Sequence, residues 1–107
     1  MPGFLKNADT FRDKGVDVIA VVAANDPFVM SGWGRVEGVK DKIVCLSDTD
    51  AAWSAKMGLS LDLSSRGMGL RTARYALIIN DLKIEYIGVD SAPGVTVSGA
   101  EAILAKL

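Results

Sequence analysis
Histidine is absent from this chain, and cysteine occurs once, at Cys45. Without imidazole or a thiolate cluster, a zinc or iron centre is not expected. Ser-His-Asp and Cys-His catalysis within the chain are excluded for the same reason. A single thiol also excludes an internal disulfide. Long apolar runs are missing too: the longest, Val18 to Ala24, falls far short of the ~20 residues that span a bilayer. The opening residues, Met1 to Asp9, do not read as a secretory signal. Charge of one sign is scarce, with a net charge of −1 and no long single-sign run. No nucleic-acid partner, membrane association or disordered tail is therefore expected. What remains for chemistry is carboxylates, Lys, Arg, hydroxyls and Cys45, and no metal or cofactor is expected.

What is present reads as one small α/β domain over residues 1–107. Phe4, Leu5, Ala8 and Phe11 fall at helical spacing, and Lys14-Gly15 closes that helix. Val16 to Ala24 reads as a strand buried on both faces. Asn25-Asp26-Pro27 starts a second helix, with Asp26 as N-cap and Pro27 in the first turn; Phe28, Val29, Trp33 and Val36 share one side of it. Ile43 to Leu46 is a short strand, followed by the capping cluster Ser47 to Asp50 and a helix over Ala51 to Met57. From Leu59 to Gly69 the pattern loses its period: Leu61 and Leu63 alternate with polar residues, and Ser64 to Gly69 reads as a covering loop. Arg74 to Asn80 and Lys83 to Val89 form a hairpin, with Leu82 standing where a glycine would turn more easily. Ser98 and Glu101 have the spacing of a capping box opening a terminal helix. The order predicts a mixed sheet flanked by helices.

The stretch Gly67 to Asp81 carries the most chemistry. A glycine-broken loop with two arginines runs into an apolar strand, so Arg74 stands at a strand mouth. A guanidinium there is always charged and offers a rigid fork of donors, which suits a thiolate or a polarised oxygen. On residue type alone, the commoner reading is a solvated surface cation. Cys45, within Ile-Val-Cys-Leu, reads as a buried structural thiol. Trp33 and Trp53 read as core or interface anchors.

Several segments together resemble the peroxiredoxin 5 family, the type II or redoxin group of thiol peroxidases. They are Pro2-Gly3-Phe4, Lys14 to Ala20, Asn25-Asp26-Pro27-Phe28-Val29-Met30 with Trp33-Gly34, Leu46-Ser47-Asp48, Gly67-Met68-Gly69-Leu70-Arg71, Arg74-Tyr75-Ala76-Leu77, and Ser98 with Ala100-Glu101. The resemblance implies a thioredoxin-like mixed sheet flanked by helices. It implies reduction of hydrogen peroxide and alkyl hydroperoxides, with thioredoxin, glutaredoxin or glutathione as donor, for redox homeostasis. By position, Arg74 matches the arginine that stabilises the thiolate and the peroxide. Gly67, Met68, Gly69, Leu70 and Arg71 match a pocket wall, against the plainer readings of a connecting loop for Gly67 to Leu70 and of a surface cation for Arg71. Phe28, Met30 and Trp33 fall where relatives form a homodimer face.

The family's Pro-x-x-x-Thr-x-x-Cys segment does not occur in these 107 residues. It lies just ahead of the family's Pro-Gly-Phe stretch, which implies that the N-terminal strands and the nucleophile are missing and that the chain alone is inactive. The missing strand would run between Val16–Ala24 and Arg74–Asn80, leaving both with open edges. Val21 and Val97 stand where some relatives carry a resolving cysteine. The alternative is a non-catalytic paralogue of the redoxin fold that binds or dimerises. The ending Ala105-Lys106-Leu107 is a conservative variant of the Ser-Lys-Leu peroxisomal address, so a cytoplasmic or peroxisomal location is expected.

Overall fold
The computed structural model describes residues 1–91 and 93–107. The first helical segment is broken in two, α1 (Pro2–Lys6) and α2 (Ala8–Asp13), where the sequence reads as one. Asn7, at φ −101°, makes the break, and its side-chain amide donates to Gly3 O at 2.8 Å. The apolar face survives: the Phe4 and Phe11 rings stack with centroids 5.6 Å apart.

β1 (Ala20–Ala23) is shorter than the predicted Val16–Ala24 strand; it leads into α3 (Pro27–Glu37). Asp26 caps α3 as expected, its carboxylate accepting the Val29 amide at 2.9 Å, with Pro27 in the first turn. Gly38, at φ +69°, ends the helix in the left-handed conformation that glycine permits. The inward face of α3 differs from the predicted one. Met30 and Gly34 are buried, whereas Phe28 and Val36 are 88% and 85% exposed. Gly34 faces inward because β2 (Val44–Ser47) passes close beneath: a side chain there would reach within 3.1 Å of Cys45 Sγ.

A 3-10 turn (Thr49–Ala51) and α4 (Ala52–Lys56) follow. β3 (Ser60–Leu63), where Leu61 and Leu63 alternate with polar residues, and β4 (Gly69–Thr72) form a hairpin pairing Leu61 with Arg71; the predicted covering loop, Ser64 to Gly69, is its connection and contains a 3-10 turn (Ser64–Arg66). Next come β5 (Arg74–Asn80) and β6 (Lys83–Asp90), antiparallel, with a register shift at Ile78/Ile79. Their two-residue turn puts Asp81 at φ +51° and Leu82 at φ +64°. The closing helix α5 (Ala100–Leu104) starts on Gly99 with no side-chain cap. The capping box at Ser98 does not form, because the Ser98 hydroxyl donates to Asp90.

The strands of the described residues make three two-stranded sheets: β1 parallel to β2, β3 with β4, and β5 with β6. Among the described residues, no ladder joins β1 to β5. Each therefore has one paired edge and one open edge, and the burial on both faces expected of them is not reached: Val21, Val22 and Leu77 are half-buried and Ile79 is 54% exposed. The main core gathers Phe11, Ala100 and Ile103, with Phe4, Val16, Ile19, Ala76, Ile78, Tyr86 and Leu104 packed around them. It clamps α1, α2 and α5 onto β5 and β6. The accessible surface is 7235 Å², against the roughly 5,700 Å² of a compact monomer of this mass.

Candidate functional site
Ala73 separates β4 from β5, its amide bonded to Leu59 O at 2.7 Å, so Arg71 and Arg74 leave the two strands on either side of a bend. Arg74 is exposed at the mouth of β5, as the sequence predicts. Its Nη1 donates to Gly94 O at 3.0 Å, in the loop between β6 and α5. No sequence signal announces that contact.

Arg71 is half-buried and bonded twice: Nε donates to Met68 O at 2.9 Å, and Nη1 to Asn25 Oδ1 at 3.2 Å. The guanidinium thus fastens β4 to the β1–α3 turn. The free surface cation, its plainer reading, does not describe it. Gly67 and Gly69, at φ +75° and +66°, make the bends that bring Met68 O back to Arg71. Met68 and Leu70 stay 43% and 50% exposed.

Behind these arginines lies a buried polar relay that sequence reasoning misses, since the residues around Asp48 read only as a run of caps. The Asp48 carboxylate accepts from the amides of Trp53 at 2.8 Å and Ser54 at 3.0 Å, and from Ser54 Oγ at 2.7 Å. Ser54 Oγ also lies 2.8 Å from Tyr75 Oη. The relay pins β5 to α4 one residue from Arg74. Burial works to raise the Asp48 pKa, but the bonds from the Ser54 hydroxyl and the two amides prevail and hold it below the usual carboxylate value.

Asp90 is the register partner of Arg74 across the β5–β6 ladder. Its carboxylate accepts from the hydroxyls of Ser98 and Thr96 and from the amides of Thr96, Val97 and Ser98. The Ser98 and Thr96 hydroxyls are the main cause of its strongly lowered pKa. An open concavity of about 220 Å³ lies beside it, lined by Val89, Asp90, Ser91, Pro93, Gly94, Thr96 and Val97.

Cys45 lies elsewhere. It is half-buried rather than buried. It lines an open groove of about 470 Å³ that includes Met30, Gly34, Arg35, Val39 and Lys40. That groove shares no residue with the Arg74 loop, and neither concavity is lined by residues 67–71. Of the expected interface residues, Phe28 is at the surface, Trp33 is half-buried, and Met30 is 1% exposed. Met30 packs inside the chain and so drops out of the expected contact face. Among the described residues, no group of His, Cys, Asp or Glu is arranged to hold a metal ion, and no helix is long and apolar enough to cross a membrane.

Comparison with known proteins gives a consistent result. Residues 1–104 match the Redoxin family. The chain is 47% identical over 107 residues to a Malassezia furfur protein named "Putative peroxiredoxin", a match that covers all of this chain and 64% of that protein. It is 38% identical to Peroxiredoxin-2B of Arabidopsis thaliana, again over the whole chain and 66% of that protein. The structure of reduced Prx3 from Vibrio vulnificus in complex with hydrogen peroxide superposes with a TM-score of 0.93 at 42% identity, covering 99% of this chain and 68% of that one. The 107 residues therefore span just under two thirds of the length of these curated relatives.

Proposed function
This chain belongs to the redoxin family, and on that premise we propose that it serves the thiol-dependent reduction of hydrogen peroxide and alkyl hydroperoxides. The observation that carries the reading is the family match over residues 1–104 together with an always-charged Arg74 at the mouth of β5. In the reaction, a cysteine thiolate attacks one peroxide oxygen and the O–O bond breaks. The other oxygen leaves as water or an alcohol after taking a proton, and the sulfur becomes a sulfenic acid. Two reducing equivalents from thioredoxin, glutaredoxin or glutathione return the thiol. Arg74 stabilises the thiolate and the charge that develops on the peroxide oxygens, the task of a fixed cation in an acyl- or oxygen-transfer site. The hydrogen-peroxide complex of the Vibrio vulnificus relative supports the substrate class.

The nucleophile is not Cys45. It is the one thiol in these residues, it lines a different groove, and it shares no hydrogen-bond partner with Arg74. Nucleophilic catalysis needs the thiolate and its stabilising cation in contact. We assign the nucleophile instead to a Pro-x-x-x-Thr-x-x-Cys segment of the family type, acting beside these residues. Phe28 and Trp33 are the surface through which two copies associate, and the site of action is the cytoplasm or, through Ala105-Lys106-Leu107, the peroxisome.

The test is peroxide consumption coupled to thioredoxin or glutathione. Three proteins are compared: this chain, its Cys45→Ser variant, and a chimera that places the family's cysteine segment ahead of Met1. Only the chimera is expected to turn over, and Arg74→Ala in the chimera should lower its rate by roughly a hundredfold. Turnover by the chain that disappears in Cys45→Ser would move the nucleophile to Cys45. An unchanged rate in the Arg74→Ala chimera would remove Arg74 from the site.

A further inference from the structure
Arg74 and Asp90 face each other across the ladder, yet the structure shows no direct bond between them. The Asp90 oxygens are occupied by five donors of the following loop: two hydroxyls and three amides from Thr96, Val97 and Ser98. Arg74 turns instead to the carbonyl of Gly94 in that same loop. Among the described residues, that carbonyl is its one acceptor. Gly94 sits at φ +111°, a conformation side chains rarely adopt, and this sets the direction of the peptide beside it. Tyr86 Oη adds a further tie, donating to Val97 O at 2.9 Å, and Ser98 is 6% exposed where the loop enters α5. The loop is thus moored by Asp90 at its far end and by Arg74 at its near end.

We propose that Asp90 is a positioning residue for Arg74: its carboxylate holds the β6–α5 loop so that the Gly94 carbonyl fixes the guanidinium at the mouth of β5. The inference deepens the role proposed above for Arg74 and rests on that reading for its consequence in catalysis. One Nη1 proton engaged on Gly94 sets the plane of a rigid fork. The remaining donors are then presented together, ready for an anionic sulfur or a peroxide oxygen. The link is mechanical rather than a charge pair. A change in the loop's mooring should therefore reach Arg74 even when the charge of Asp90 is kept.

The experiment uses the 107-residue chain and needs no peroxide, so it can fail while the peroxidase reading stands, and the reverse. Phenylglyoxal, which modifies arginine side chains, is applied under limiting conditions, and Arg74 and Arg71 are followed separately by peptide mass spectrometry. Arg71 is held by Met68 and Asn25 and serves as the internal reference. Asp90→Asn is expected to speed modification of Arg74 severalfold while leaving Arg71 unchanged. Thr96→Val, which removes one donor and leaves the Asp90 charge in place, should act in the same direction. If Asp90→Asn does not fold, Thr96→Val decides alone by the same ratio. An Arg74 rate that is unchanged, or that rises only in step with Arg71, overturns the proposal. An effect of Asp90→Asn with none from Thr96→Val would also overturn it, since it would make the coupling one of charge.

Discussion

Arg71 Nη1 lies 3.2 Å from Asn25 Oδ1, a bond that closes 46 residues of chain and ties β4 to the β1–α3 turn. The pair couples a loop-bearing hairpin to the helix whose N-cap is the next residue, Asp26. A double-mutant cycle on Asn25→Ala and Arg71→Ala, read by denaturant unfolding, should give a coupling of about 0.5–1 kcal/mol. Strict additivity would show that the contact contributes nothing. Arg71→Lys should behave much like Arg71→Ala, since an ammonium cannot reach Met68 O and Asn25 in one fixed fork.

Ser54 is the hinge of the buried relay, bonded both to Asp48 and to Tyr75. Ser54→Ala should destabilise the chain by about 1–3 kcal/mol, because it strips a donor from a buried carboxylate. Tyr75→Phe removes only the outer bond and should cost about 1 kcal/mol. Equal losses for the two variants, in thermal or urea unfolding, would place the weight on the Tyr75 end instead.

Leu82 stands at φ +64° and is 97% exposed, so it bears backbone strain and returns no packing. Replacing it with glycine relieves the left-handed penalty, while the freer unfolded chain takes back part of the gain. The net expectation is a stabilisation of about 0.5–1 kcal/mol. The turn would then carry Asp followed by Gly, a preferred pair for a two-residue hairpin connection. A Tm that falls in Leu82→Gly would contradict this.

Asp48 and Asp90 both hold their pKa below the ordinary carboxylate value. For a group lowered in the folded state, the stabilising contribution is complete above the unfolded value, near pH ~4. It is lost as pH falls below that value through the folded one. Unfolding free energy should therefore decline with acid from about pH 4 downward. In Asp48→Asn the chain should be less stable at neutral pH and its acid decline shallower. A wild-type profile that is flat below pH ~4 would contradict the linkage.

The open edges of β1 and β5 and the exposed side chains of Phe28 and Val36 leave apolar surface in water. Such edges and patches invite pairing. Sedimentation velocity should show association that rises with concentration, and a well-behaved monomer with a cooperative melt above ~45 °C would oppose it.

Some of this architecture is legible in the sequence and some is not, for physical reasons. Asp26 and Pro27 are readable because an N-cap is a local hydrogen bond within one turn. The β5–β6 hairpin and the strand-mouth position of Arg74 follow from a run of apolar residues bounded by turn signals. The inward face of α3 is misleading because bulk suggests burial: Phe28 is large and outside, Gly34 small and inside against Cys45. Ser98 has the right spacing for a cap, but Asp90, eight residues back, competes for its hydroxyl and wins. The β3–β4 hairpin hides behind Gly67 and Gly69, whose positive φ angles make turns that look like plain loop. The bond from Arg74 to Gly94 spans 20 residues and ends on a backbone carbonyl, which carries no residue-specific signal.

Three separate ladders have a kinetic meaning as well. β3–β4 and β5–β6 each join neighbouring segments of chain, whereas β1–β2 must wait for α3 to close between them. The hairpins can open and re-form largely independently, because among the described residues no ladder joins one sheet to the next. Amide exchange should accordingly fall into distinct tiers. The slowest amides should lie in β5 and β6 under α2 and α5, where the aromatic and aliphatic contacts converge. The β3–β4 amides should exchange by frequent local opening, so that the bend before Arg74 is set by a hairpin that breathes against a strand that does not.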